Sequence, residues 1–390
     1  MPTRNRSPLT FVALSILKGV TLALGFVEGA HASARFTPDD ANYVVLERPA
    51  RAGSGSAARD AGEAARTAQQ LINRARLERE PRFFGYAEAI IQPWVNKAGA
   101  DTFEVLLVKA DIQQNRHEFA NAIVTLNRAI QVQPHDPRTY LQRASIQMVR
   151  GEFTAARADC RELITGGELA VGSVCMAQAA GATGNSERAE AIIRSLLSNG
   201  QQFDRPTRAW ALATLADLAR RRGSDKEAET FLRQAIDLAP TDDSIRCALG
   251  DLLLDQSSSN EVIALMSVER PSLAVLLRKT IAQHRMKDSH VAETSRRFLE
   301  LIEIDRQRSE RAHLREEAMF ALEVGGDSQA AVKLAAENFK LQRESADIRL
   351  LARSASVARN FAALNPLRTW LAATGYRDQK LEALLRATTT

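Results

Sequence analysis

The sequence predicts an all-α fold, a superhelical solenoid of stacked helix-turn-helix hairpins, and three observations predict it. Small residues recur at one place, as Ala110, Ala144, Ala177, Ala216 and Gly250. Their spacing is roughly 34 residues, the period of a helical-hairpin array. Ala122, Ala156, Ala189, Ala228 and Val262 each follow twelve residues later. Gly151, Gly184 and Gly223 mark the turn between the two positions, and Pro134 and Pro240 close two of the units. No run of alternating β-branched residues is bounded by turn signals, so a sheet is not expected.

The first 34 residues stand apart from this pattern. Arg4 and Arg6 precede an apolar run from Leu9 to Val27, broken by Lys18, and Ala30, Ala32 and Ala34 alternate with His31 and Ser33. This is the layout of a secretory signal peptide, with cleavage predicted after Ala32 or Ala34. An uncleaved anchor is the alternative. Lys18 splits the run, and neither half reaches the ~20 apolar residues that span a bilayer. Residues 35–62 are poor in apolar side chains and contain Gly53-Ser54-Gly55-Ser56, which reads as a flexible linker.

A regular array is expected over 63–267. In its clearest unit, Leu106, Leu107 and Ala110 share one face of a first helix. Phe119, Ala122, Ile123, Leu126, Ala129 and Ile130 form the apolar stripe of a second. The spacing departs from the period between 268 and 310, so a helical hairpin of altered length is expected there. From 311 to 390 degenerate hairpins are followed by a capping helix from about Asp378. Asn365 is expected to cap a helix that Pro366 begins and Gly375 ends.

Composition bounds the function. The apolar fraction of 45% and charged fraction of 25% are those of a folded soluble protein. Of the net charge of +5, Arg4, Arg6, Lys18 and Glu28 account for +2. What remains is a weak bias, spread as alternating Arg and Glu without interleaved aromatics, so nucleic-acid binding is not expected. The histidines form no H-E-x-x-H pair, and there is no C-x-x-C, nucleophile elbow or phosphate loop. No catalytic residue, cofactor or metal is therefore assigned. An enzyme with an unrecognised site in 268–310 is the least favoured alternative.

The units resemble the tetratricopeptide repeat, whose pattern has a small residue in the first helix, a glycine and aromatic at the turn, then a small residue and a late proline. One unit matches as Ala144, Gly151, Glu152, Phe153 and Ala156, and another as Leu212, Ala216, Gly223, Ala228, Leu232, Ala235 and Pro240. Degenerate units carry Ala75, Phe84, Ala87, Ile91 and Trp94, then Gly250 with Val262, Gly326 and Asp327 with Ala331, and Ala352 with Phe361 and Leu364. The resemblance runs from about 68 to 378 with breaks, and is nearest to exported bacterial members of unassigned role.

The resemblance implies that first helices line a concave face that binds a protein or peptide. The matching positions are Asp111, Gln114, Arg138, Leu141, Ser145, Gln178, Trp210, Asp217, Arg220, Arg221 and Asp251. The basic-and-asparagine set with which some members grip a terminal carboxylate is not evident. The chain is thus expected to be a non-catalytic scaffold, periplasmic or secreted, or membrane-tethered if the amino-terminal segment stays uncleaved. Cys160 lies on the second helix of one unit and Cys175 on the first helix of the next. In an oxidising compartment these are expected to pair, at ~3 kcal/mol by the chain-entropy model, the alternative being two buried thiols. Cys247 has no evident partner.

Overall fold

The computed structural model describes residue 58 and residues 60–95, 102–198, 203–307 and 313–387. The expected export signal (1–34) lies outside them, as does most of the expected linker. Among the described residues there are nineteen α-helices and no strand. They are α1 (Ala61–Glu78), α2 (Arg82–Ile91), α3 (Phe103–Asn115), α4 (Phe119–Val132), α5 (Pro137–Val149), α6 (Phe153–Thr165), α7 (Leu169–Gly181), α8 (Ser186–Ser198), α9 (Arg205–Arg221) and α10 (Asp225–Leu238). There follow α11 (Asp243–Asp255), α12 (Ser259–Met266), α13 (Leu273–Met286), α14 (Val291–Gln307), α15 (Leu314–Glu323), α16 (Ser328–Leu341), α17 (Ser345–Val357), α18 (Asn365–Thr374) and α19 (Gln379–Arg386). Each odd-numbered helix through α15 packs against the next to form a hairpin, and hairpins stack in order. The fold is an all-α solenoid of stacked helical hairpins.

The period works through close approach. Ala110, Ala144, Ala177 and Ala216 are fully buried at hairpin crossings, where a larger side chain would force helices apart. Gly172 shows how tight such a crossing is. A Cβ there would lie 2.9 Å from the Ile164 nitrogen and 3.1 Å from the Cys160 oxygen, backbone atoms that cannot yield. Beside it Cys160 of α6 and Cys175 of α7 are joined in a disulfide, with Cα atoms 5.5 Å apart.

The turn within each hairpin needs one residue of positive φ. Gly151 (φ 72), Gly184 (φ 94) and Gly223 (φ 79) supply it in three successive hairpins. His117 (φ 58) and Ser257 (φ 61) supply it in the hairpins on either side. The left-handed region costs ~1–2 kcal/mol for an L-residue. Those two hairpins therefore keep the turn geometry without the glycine that marks it in sequence.

Helix starts are fixed by short acceptors. Asp136, Asp204 and Asp378 accept hydrogen bonds from the backbone N–H groups of Arg138 (2.9 Å), Thr207 (2.8 Å) and Leu381 (3.0 Å), each such cap being worth ~1 kcal/mol. One expected cap is corrected. Asn365 is the first residue of α18, and Leu364 precedes it without a side-chain cap, because a 3-10 turn (Phe361–Leu364) runs directly into the helix. Asp242 caps α11 by accepting from Ser244 and Ile245 at 2.8 and 3.1 Å. Its second oxygen is buried without a partner, and burial pushes the carboxyl up to about 7, more than these backbone bonds lower it.

Folded Asp242 thus holds a proton between pH 4 and 7 that the unfolded chain has released, so its contribution to stability falls as pH rises through that window. Asp242→Asn keeps an acceptor for the cap and removes the titration. Relative to wild type, the variant is expected to gain roughly 2–4 kcal/mol between pH 4 and pH 7, read by urea unfolding. A constant difference between the two proteins would contradict the assignment.

The carboxy-terminal helices α15–α19 gather their own apolar core. It includes Val332, Phe339, Ile348, Leu351, Leu364, Leu367 and Leu381, and all but two of its buried members, Phe153 and Ala182, come from residues 318–381. This unit folds back over the turns of the array. Trp370 lies where a Cβ on Gly151 would stand, 2.6 Å from its Cζ2 atom, whereas nothing lies within 4 Å of the equivalent point on Gly184. Both glycines have positive φ, so alanine strains both. Gly151→Ala is expected to cost about 1–3 kcal/mol more than Gly184→Ala, the overpacking increment, in urea unfolding. Equal costs would mean that Trp370 does not pack there.

Candidate functional site

The inner faces of α3, α5, α7, α9 and α11 surround a cavity of about 1730 Å³, closed further by the start of α2, by α13 and by the carboxy-terminal unit. The residue after each small position points to it. Asp111, Ser145, Gln178, Asp217 and Asp251 follow Ala110, Ala144, Ala177, Ala216 and Gly250 in turn, and all five line the cavity. The repeat that buries the small residue carries its polar neighbour around the helix to the inner wall, one polar group per hairpin.

Nine of the eleven positions expected to line a concave face do so: these five with Gln114, Trp210, Arg220 and Arg221. Arg138 and Leu141 do not. Both sit in the first turns of α5, which face the neighbouring hairpin. Arg138 pairs with Asp136 at 2.8 Å and lies 4.9 Å over the Phe103 ring, while Leu141 is buried in the array core. Trp210 reaches the cavity only at its edge. It is 1% exposed, and its indole N–H donates to the Gln178 side-chain amide oxygen, Oε1, at 3.0 Å, so it braces the wall rather than projecting from it.

The wall is charged but internally matched. The Arg76 guanidinium donates to Asp111. Arg79 meets Asp243 at 2.8 Å, Arg220 meets Asp255 at 2.6 Å, and Arg285 meets Glu323 at 2.8 Å. Arg278 is the most deeply buried of these cations, 2% exposed. It holds Asp251 with two bonds of 2.9 and 3.0 Å and has Glu316 at 3.5 Å. Burial disfavours its charge, and the two carboxylates outweigh burial and raise its pKa.

Asp217 is a junction. Arg221 lies 3.0 Å away, and the Ser345 hydroxyl donates to it at 2.8 Å. Burial alone would raise its carboxyl. Arg221, the Ser345 hydroxyl, Arg349 and Arg220 together hold it below the usual carboxylate range. The ring of Tyr376 sits 5.4 Å under the Arg221 guanidinium. Cys247 also faces the cavity, its thiol pushed up by burial to about 12, and so carries no thiolate at neutral pH.

Ser345, Arg349, Tyr376 and Lys380 were missed by sequence reasoning although they line the same cavity. The period marks only the array's own faces, and these residues arrive from more than a hundred positions away. Among the described residues, no group of three or more His, Cys, Asp or Glu is placed to hold a metal ion, and no helix is long and apolar enough to cross a membrane.

Fold and inner wall together define a helical-repeat array with a polar inner wall. The tetratricopeptide-repeat family model matches residues 208–252, which here are most of α9, all of α10 and most of α11, and the chain carries a tetratricopeptide repeat there. Such repeats generally mediate protein interactions. Similar solved structures include the human IFIT1 dimer with m7Gppp-AAAA, 14% identical over 85% of this chain and 81% of that one, with a TM-score of 0.45. A tetratricopeptide repeat protein from Parabacteroides merdae is 13% identical over 75% of this chain and 98% of that one, with a TM-score of 0.38. No curated protein matches the chain.

Proposed function

We propose that this chain is an exported, non-catalytic scaffold whose inner wall holds a segment of a protein partner. The observation that carries this reading is the ladder Asp111, Ser145, Gln178, Asp217 and Asp251, one polar side chain per hairpin along a single cavity. Its volume of about 1730 Å³ exceeds the 300–1,000 Å³ typical of small-molecule sites, and a polypeptide segment is the ligand class that fills such a length. Groups already matched inside the wall cost little to order, so binding is equilibrium capture on a largely preformed surface.

Export is supported by the amino-terminal pattern in residues 1–34 and by the Cys160–Cys175 disulfide, a bond that persists in oxidising compartments. Amino-terminal sequencing of the protein from fractionated cells separates cleavage after Ala32 or Ala34 from an uncleaved anchor.

Gln178→Arg tests the wall. It places a long cation in the cavity from a half-buried position. Tagged full-length protein purified from its own host is expected to bring down its partner at least tenfold less well with this substitution. Equal yields would place the binding surface elsewhere.

A further inference from the structure

The carboxy-terminal unit lies on the array as a bound segment would. The backbone N–H of Arg343 donates to the Val149 carbonyl at 2.7 Å, and its guanidinium to the Arg150 carbonyl at 2.7 Å, at the end of α5. The backbone N–H of Arg377 donates to the Ala182 carbonyl at 3.2 Å, at the end of α7. These acceptors belong to the last turns of helices, which lack partners within the helix. At the next turn, Lys380 meets Asp225 at 2.6 Å and Asp255 at 3.7 Å. Between them the Tyr376 hydroxyl shares Ser345 with Asp217, and the Tyr376 ring lies under Arg221. The rim therefore offers orphan carbonyls, carboxylates and a guanidinium that receives an aromatic face.

We propose that this rim is a docking surface for polypeptide segments in which a tyrosine precedes a lysine by four residues at the start of a helix. Tyr376–Lys380 is its occupant in cis. A partner segment of the same chemistry enters by displacing it, and the displacement opens the cavity behind. Three observations support an occupant that leaves as a unit. The carboxy-terminal helices carry their own apolar core, only Phe153 and Ala182 among its buried members come from the array, and just beyond Tyr376 the chain meets the array through the Arg377 amide and the Lys380 ammonium. Met319, Phe320 and Val324 keep the α15 end of the unit on the array core. The proposal rests on reading the array as a peptide-binding scaffold and adds the chemistry of the segment and the means by which access is controlled.

The test uses full-length protein, wild type and Tyr376→Ala/Lys380→Glu, with a fluorescent peptide of residues 366–387 followed by anisotropy. In wild type the tethered segment competes at an effective concentration in the millimolar range. The peptide is expected to bind the double variant at least tenfold more tightly than wild type, and a peptide carrying both substitutions is expected to bind neither. Equal binding to both proteins, or no binding to a variant with native circular dichroism, overturns the proposal.

Should the double variant lose its native fold, Lys380→Gln is followed by hydrogen exchange. The Arg377 amide is expected to exchange at least tenfold faster than in wild type while α9 amides are unchanged. No change at Arg377, or a change in step with α9, overturns it. Loss of partner capture by Gln178→Arg depends on none of these outcomes, so the scaffold reading and this one fail separately.

Discussion

Arg278→Leu is expected to destabilise the protein by about 3–5 kcal/mol, the largest effect of any single substitution discussed. The reason is asymmetric. With Arg278 present, its charge is buried but matched by Asp251 through two bonds and by Glu316. Without it, two carboxylates that are themselves poorly exposed face each other with no cation between them, and breaking a buried pair from one side leaves that charge uncompensated. Two further variants separate this from lost packing. Arg278→Lys keeps the charge but not the planar fork and is expected to lose less. Arg278→Leu/Asp251→Leu removes both sides and is expected to recover part of the loss, the coupling energy being read from the double-mutant cycle. Urea unfolding of the four proteins measures it, and strict additivity would mean that the pair does not act as one.

Removing the disulfide is expected to cost about 3 kcal/mol. Cys160 and Cys175 are 15 residues apart, and closing a loop of that length removes about this much from the unfolded chain's freedom. The Cys160→Ala/Cys175→Ala protein is expected to unfold at the same urea concentration with or without reductant, and wild type to lose about 3 kcal/mol in reductant. Both sulfurs are fully buried, so reduction of native protein should be slow and proceed through opening. Wild type unaffected by reductant after full unfolding and refolding would contradict the assignment. The bond joins the second helix of one hairpin to the first helix of the next, and so it restrains the stacking that shapes the inner wall.

Much of this fold is written locally. Ala144 and Ala216 recur because helices cross there, and Ser145 and Asp217 reach the inner wall because they follow them. That logic needs only the helical period and the chain's own spacing. It fails at Leu141 and Arg138, where the same helix has already turned toward its neighbour. It is also incomplete at Arg221 and Trp210, which the period places on a solvent-facing wall. Arg221 is 5% exposed because Tyr376 covers it, and α9 is buried on nearly every side because α7, α8, α10 and α19 surround it. Contacts such as Ser345 to Asp217, or Arg343 to Val149, join segments that share no period. Their signal in sequence is the weakening of the repeat after residue 268, which shows where the array changes and not where the chain goes next.

The most direct measurement of the scaffold's central property is site-specific photocrosslinking of the full-length chain in its own host. A photoreactive residue replaces Gln178 on the inner wall in one protein, and Val124, 60% exposed on α4, in another. Adducts with one defined polypeptide are expected from position 178 and not from position 124, and are expected to fall when that polypeptide's crosslinked segment is added as a competing peptide. No adduct from position 178, or the same adducts from both positions, would contradict an inner wall that holds a protein partner.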